Sequence, residues 1–112
     1  YYTPVVITSE DTIANEPEVI KAIMGALSRG YDFAIQNPSE AAELLLAAVP
    51  ELDTELVKAS QDWLSKYYQA GAPRWGEQKE SVWQDYTDWM VKHGILSAPI
   101  SASDAFTNEF LP

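Results

Sequence analysis

Residues Pro4-Val5-Val6-Ile7-Thr8 form an apolar, β-branched run with the character of a buried strand. No later segment of the chain offers a second strand to pair with it, because everything from Pro17 onward reads as helix broken by Pro, Gly and Asp. An unpaired strand presents a row of N–H and C=O groups, and burying those without partners is costly. The strand is therefore expected to complete a sheet lying outside these 112 residues, or to pair with a second copy of the chain. The chain also begins at Tyr1 rather than Met, and it reads as a piece of a larger protein. The expected fold class is mainly α, with one N-terminal strand and about four to five helices.

A hydrophobic content of 46% supports a real core, and four Trp, six Tyr and three Phe must find packing partners. The net charge of -10 argues against nucleic acid, whose phosphates require clustered Lys and Arg. It argues equally against docking on anionic lipid. Without cysteine the chain can form no disulfide, thiolate metal site or thiol nucleophile. The longest apolar stretch, from Ala41 to Val49 and interrupted by Glu43, is too short to span a bilayer.

Helix punctuation is legible along the chain. Ser9 precedes Glu10 and Asp11, which predicts a short capped turn, and Pro17 suits the first turn of a long helix ending near Asn37. On that helix Ile20, Ile23, Met24, Leu27, Tyr31, Ala34 and Ile35 share one face. Gly25 and Gly30 within it suggest close packing against a neighbouring element. Asn37-Pro38-Ser39-Glu40 predicts a reciprocally capped helix start, with Leu44, Leu45, Leu46 and Val49 as apolar positions and Pro50 as the stop. Asp53 caps the next helix, whose stripe is Leu56, Val57, Ser60, Trp63, Leu64 and Tyr67. Trp75-Gly76 is expected to open the last long helix, with Val82, Trp83, Tyr86, Trp89, Met90 and His93 at helical spacing and Gly94 as its cap. A final turn is expected at Ser103-Asp104-Ala105-Phe106, followed by Phe110-Leu111 as a docking tail.

No catalytic constellation is apparent. The single His93 lies near a helix C-terminus, where the dipole favours a cation and a structural role is the simpler reading. The pairs Glu40/Glu43 and Asp85/Asp88 could bind a cation only if buried, and they flank exposed faces. Ser28, Ser60 and Ser65 lack an elbow motif or adjacent base, and no glycine-rich phosphate loop occurs. No metal site and no cofactor are expected. The aromatic residues Trp63, Tyr67, Tyr68, Trp83, Tyr86 and Trp89 follow helical spacing and are expected in the core. Tyr1, Tyr2 and Trp75 lie outside that periodicity, where an aromatic can stack on a planar ligand, and they are the candidate ligand-binding residues.

An ordered series of motifs carries a resemblance. It runs from Tyr1-Tyr2-Thr3-Pro4-Val5-Val6-Ile7-Thr8-Ser9-Glu10 through Glu16-Pro17-Glu18, Ala26-Leu27-Ser28-Arg29-Gly30-Tyr31 and Asn37-Pro38-Ser39-Glu40-Ala41-Ala42. It continues through Arg74-Trp75-Gly76-Glu77-Gln78 and Trp89-Met90 to Thr107-Asn108-Glu109-Phe110-Leu111. This series resembles the C-terminal part of ThiY-like solute-binding proteins of ABC transporters, which capture thiamine pyrimidine precursors. Those proteins are related to pyrimidine-synthesis enzymes of yeast thiamine biosynthesis. The wider family includes binders of riboflavin-like, sulfonate and nitrate substrates.

The resemblance implies a parent with two α/β lobes joined by hinge strands, and a ligand held in the cleft between them. It implies that residues 1–9 are the crossover strand and that residues 10–112 are the helical part of the first lobe. On that basis Tyr1 and Tyr2 would touch the cleft, and the other pocket residues would lie upstream. The implied partners are a small heteroaromatic ligand and an ABC permease, in an extracytoplasmic setting, with no chemical step. Two alternatives stand beside it. One is part of a pyrimidine-biosynthesis enzyme of the same fold, and the other is a free-standing helical module whose strand pairs across a homodimer.

Overall fold

Val5, Val6 and Ile7 are 41%, 58% and 86% exposed, and no strand forms anywhere in the chain. The expected strand over residues 4–8 is thus corrected to an extended segment open to water. The physical reason is the one that made it conspicuous: these residues contain no second extended segment to complete a ladder. The computed structural model describes residues 1–112. Its helices are α1 (Glu10–Asn15), α2 (Pro17–Gln36), α3 (Pro38–Ala48), α4 (Thr54–Leu64), α5 (Glu80–Lys92) and α6 (Ala102–Ala105), so the mainly α expectation holds. None of them is long and apolar enough to cross a membrane.

The chain divides into two compact units, one made of Tyr1–Lys21 with Glu77–Leu111 and the other of Ala22–Gly76 with Pro112. In the first, Ser9 caps α1 by accepting the Thr12 N–H at 3.1 Å, and Glu10 and Asp11 meet the positive end of the helix. The helix expected to open at Trp75-Gly76 begins only at Glu80. Gly76 is in the left-handed region at φ 83°, and the backbone that follows is bonded elsewhere. Asn108 holds Gln78 from both sides, accepting its N–H at 3.1 Å and donating Nδ2 to its carbonyl at 2.8 Å. The Lys79 N–H donates to the Tyr2 hydroxyl at 2.8 Å. The Gln78 carbonyl, which a longer helix would offer to the Val82 N–H, is instead held by the Asn108 amide, and the Val82 N–H bonds the Lys79 carbonyl at 3.1 Å.

α5 ends as its sequence predicts. Gly94 takes φ 71°, its N–H bonds the Val91 carbonyl at 3.0 Å, and the Ile95 N–H bonds the Met90 carbonyl at 2.9 Å, a Schellman closure. α6 packs against α5, where Thr87 and Ala102 are buried and Thr87 Oγ1 accepts the Ile100 N–H at 3.1 Å. The final turn therefore lies one residue earlier than expected, at Ala102–Ala105.

In the second unit α3 and α4 pack together. Asp53 caps α4 by accepting the Leu56 N–H at 2.8 Å. The reciprocal cap expected between Asn37 and Glu40 does not form. The Asn37 N–H already bonds the Phe33 carbonyl at 2.8 Å, and its side-chain amide donates to the same carbonyl at 3.1 Å. Asn37 thereby closes α2, and α3 starts on the fixed φ of Pro38. After α4 the chain reverses at Gln69-Ala70-Gly71-Ala72, with φ of 48° at Ala70 and 78° at Gly71, and Ala72 N–H bonded to the Gln69 carbonyl at 2.9 Å.

Burial is sparse. Ala42 and Ala102 are the only buried hydrophobic residues, and no large side chain is fully buried. Leu44, Leu45 and Leu56 on the expected stripes are exposed, as are the expected core residues Trp63, Tyr67 and Trp89. Paired helices cover one face of each other and leave the opposite face open. Gly25 and Gly30 do not mark a helix contact either. A Cβ at Gly30 would meet nothing within 4 Å, and one at Gly25 would meet only Arg29 Nη1 at 3.5 Å.

Candidate functional site

On α5, positions 82, 85, 86 and 89 recur at spacings of three and four, which brings them to one face, and His93 follows as the C-cap. There the Tyr86 and Trp89 rings lie 6.3 Å apart and within 10° of parallel, and His93 leans on Trp89 at 4.5 Å. Tyr1 stacks on Tyr86 at 5.3 Å and 22°. Tyr1, Val82, Asp85, Tyr86 and Trp89 line an open cleft of about 650 Å³. Tyr1 remains 78% exposed, so one of its faces is free for a further contact.

Tyr2 is placed differently. Its hydroxyl accepts the Lys79 N–H, and its ring packs on Trp83 at 6.3 Å. Trp83 is itself held by its Nε1 donating to Gln78 Oε1 at 2.7 Å and by Phe106 stacked at 6.0 Å. Tyr2, Gln78, Trp83, Phe106 and Asn108 thus form one connected support beneath the start of α5.

Trp75 belongs to the second unit. It stacks on Tyr31 at 4.5 Å, and Tyr31 meets the edge of Tyr68 at 5.1 Å. The Tyr68 hydroxyl donates to Gln61 Oε1 at 2.7 Å, and Gln61 Nε2 donates to the Ala34 carbonyl at 3.2 Å, which ties α4 to α2. Burial, with a smaller push from Tyr31, raises the Tyr68 phenol above its ordinary value, against the opposing bond to Gln61. Of the three candidate ligand residues, only Tyr1 lines the cleft.

Asp85 is the residue that sequence reasoning passed over. Its sequence signal is only the i,i+3 spacing to Asp88, whereas in the structure Asp85 lines the cleft and Asp88 instead accepts Gln84 Nε2 at 2.9 Å. Glu40 and Glu43 are exposed, and no three His, Asp or Glu side chains converge as metal ligands. What the cleft offers chemically is flat apolar ring surface beside one carboxylate acceptor.

Residues 1–41 match the family model described as NMT1/THI5 like. Similarity to curated proteins spans nearly the whole chain. A formylaminopyrimidine-binding protein of Halalkalibacterium halodurans is 29% identical over 109 residues, covering 93% of this chain and 33% of that protein. The riboflavin-binding protein RibY of Chloroflexus aurantiacus is 31% identical over 117 residues, covering 96% and 32%. A 4-amino-5-hydroxymethyl-2-methylpyrimidine phosphate synthase of Legionella pneumophila is 30% identical over 100 residues, covering 87% and 29%. The chain spans about a third of the length of these relatives. The resemblance to ThiY-like binding proteins read from the motifs is therefore met by independent comparison. The NMT1/THI5-like segment holds Tyr1 and Tyr2, while Trp75 and the α5 side of the cleft lie beyond it.

Proposed function

We propose that this chain is the C-terminal helical part of a two-lobed solute-binding protein serving an ABC importer, with a thiamine pyrimidine precursor or similar heteroaromatic molecule as ligand. The observation that carries the reading is the alignment with two relatives named as binding proteins over 93% and 96% of this chain. In this proposal residues 1–9 are the crossover segment between lobes, and residues 10–112 belong to the first lobe. The protein works outside the cytoplasm, closes around its ligand and presents the closed form to the permease, with no chemical step. Tyr1 is the ligand-facing member of the candidate set, supported by its exposure and its place in the cleft. Tyr2 and Trp75 contribute less directly, since neither lines the cleft.

Calorimetry of the full-length protein tests the reading. Saturable binding of a thiamine pyrimidine precursor or riboflavin, with the ligand recovered unchanged, is the expected result. Tyr1→Ala should weaken that binding by about 1 kcal/mol, the worth of one aromatic stack. Conversion of the ligand to product would overturn the binding-protein reading in favour of an enzyme, the activity named for the Legionella relative.

A further inference from the structure

We propose that Ile23, Ala26, Gly30 and Phe33 on α2 form an interface covered by an apolar segment of the same polypeptide upstream of Tyr1, which packs close to the helix backbone at Gly30. The inference rests on the reading of this chain as part of a larger protein and names one face through which it joins the remainder. The four positions recur at spacings of three, four and three, so they make one stripe along the helix. Ile23 and Phe33 are 50% and 38% exposed, and Ala26 and Gly30 lie open between them. α2 meets its own unit elsewhere: Tyr31 stacks on Trp75, and the Ala34 carbonyl accepts Gln61 Nε2.

Gly30 points to a close neighbour. Inside a helix glycine is less stable than alanine, because it orders more backbone freedom and adds no side-chain contact. A Cβ at Gly30 would meet nothing within 4 Å, so no contact within these residues calls for glycine. A main chain laid against the stripe does, since a missing Cβ lets it approach the helix backbone. The size of the stripe decides between occupants. At 1.5 Å per residue and a helix width of about 10 Å it offers roughly 150 Å². A stable complex with a second copy needs about 800 Å² per partner. A tethered segment needs far less, because its effective concentration is fixed by the chain. Only Ala42 and Ala102 among the hydrophobic residues are buried here, and the chain aligns with about a third of each relative, so the apolar surface that covers the stripe is assigned to the other two thirds.

Thiol labelling of Ala26→Cys in the full-length protein tests the interface. The introduced thiol should react at least about tenfold more slowly in native buffer than in urea, the protection expected of a covered site. A thiol that reacts as fast folded as unfolded would overturn the proposal. Protection that disappears on dilution would assign the stripe to a second copy, and it too would overturn the intramolecular occupant. Thermal melts give a second readout. Helix propensity alone predicts that Gly30→Ala raises Tm by about 2 °C, whereas a covering segment makes the new methyl clash and lowers it. Gly25→Ala, whose methyl meets only Arg29 Nη1 at 3.5 Å, should show the rise. A rise for Gly30→Ala as well would overturn the interface. Protection in a protein that binds no ligand would leave this inference standing while the solute-binding reading fails, and a reactive thiol in a protein that binds its ligand would do the reverse.

Discussion

The hydroxyl of Tyr2 accepts the backbone N–H of Lys79 at 2.8 Å, joining residues 77 positions apart in sequence. Next to it, the Asn108 side chain pairs with both backbone groups of Gln78. The N-terminal Tyr-Tyr pair, the Gln-Lys step before α5 and the Thr-Asn-Glu-Phe-Leu tail are therefore one structural assembly. Its effect is to hold Tyr1 over Tyr86 and so to define one wall of the cleft.

Asn108→Ala removes two hydrogen bonds in a part-buried setting, and a loss of about 2 kcal/mol in unfolding free energy is expected. Tyr2→Phe removes one bond at a solvent-exposed position, where water can replace it, and should cost at most about 0.5 kcal/mol. Urea denaturation of the two variants checks the order. Equal losses would show that the Gln78–Asn108 pairing carries no special weight.

The two helix caps of the second unit separate cleanly. Asp53→Ala should destabilise by about 1 kcal/mol, because the Leu56 N–H loses its acceptor. Asn37→Ala should cost a few tenths of that, since its side chain only supplements the backbone bond to the Phe33 carbonyl. Thermal melts of both variants give the comparison directly.

Ala70 occupies φ 48° ahead of Gly71 at φ 78°. A residue with a Cβ pays about 1 kcal/mol in that region. Ala70→Gly is therefore expected to leave stability unchanged or raise it by up to about 1 kcal/mol, despite the greater entropy of the unfolded chain. A clear loss in Tm would show that the turn is not held in this conformation.

The raised Tyr68 phenol predicts an alkaline limit. The folded state holds this proton more tightly than the unfolded state, whose phenol titrates near about 10. Its stabilising contribution is complete below that pH and fades as pH rises through the higher folded value. Spectrophotometric titration of tyrosinate absorbance should show a late-ionising phenol that disappears in Tyr68→Phe. The variant should also lose part of the fall in stability above pH 10.

The exposed Val5-Val6-Ile7 segment is expected to drive self-association of the 112-residue chain by itself, because an unpaired apolar strand-former templates pairing. Val6→Lys should shift the chain towards monomer in light scattering. Monomeric behaviour of the unsubstituted chain would remove the basis for a dimer through this segment.

Local signals carried much of the helical layout. Ser9, Asp53 and Gly94 cap as their types require, and Pro17, Pro38 and Pro50 sit at helix boundaries, because capping and φ restriction act within a few residues. Apart from the Asn37 cap, which its local bonds to the Phe33 carbonyl displace, the misses involve distant partners. Trp75-Gly76 does not open α5, since Asn108 holds the Gln78 carbonyl that a longer helix would offer to the Val82 N–H. Trp63, Tyr67 and Trp89 have core periodicity yet lie exposed, since periodicity marks an apolar face without saying what covers it. Likewise the β-branched run at residues 4–8 determines a preference for extended backbone, but a strand requires a partner that these residues do not contain.

By itself the sequence determined most helix stops and caps, the acidic character and the family resemblance. Tertiary structure alone decided that Tyr1 lines the cleft while Tyr2 and Trp75 do not, and that Asp85 joins Tyr1 in the cleft lining. The physical reason is range: caps and turns follow from neighbours in sequence, whereas the free face of an aromatic ring depends on residues brought beside it by folding.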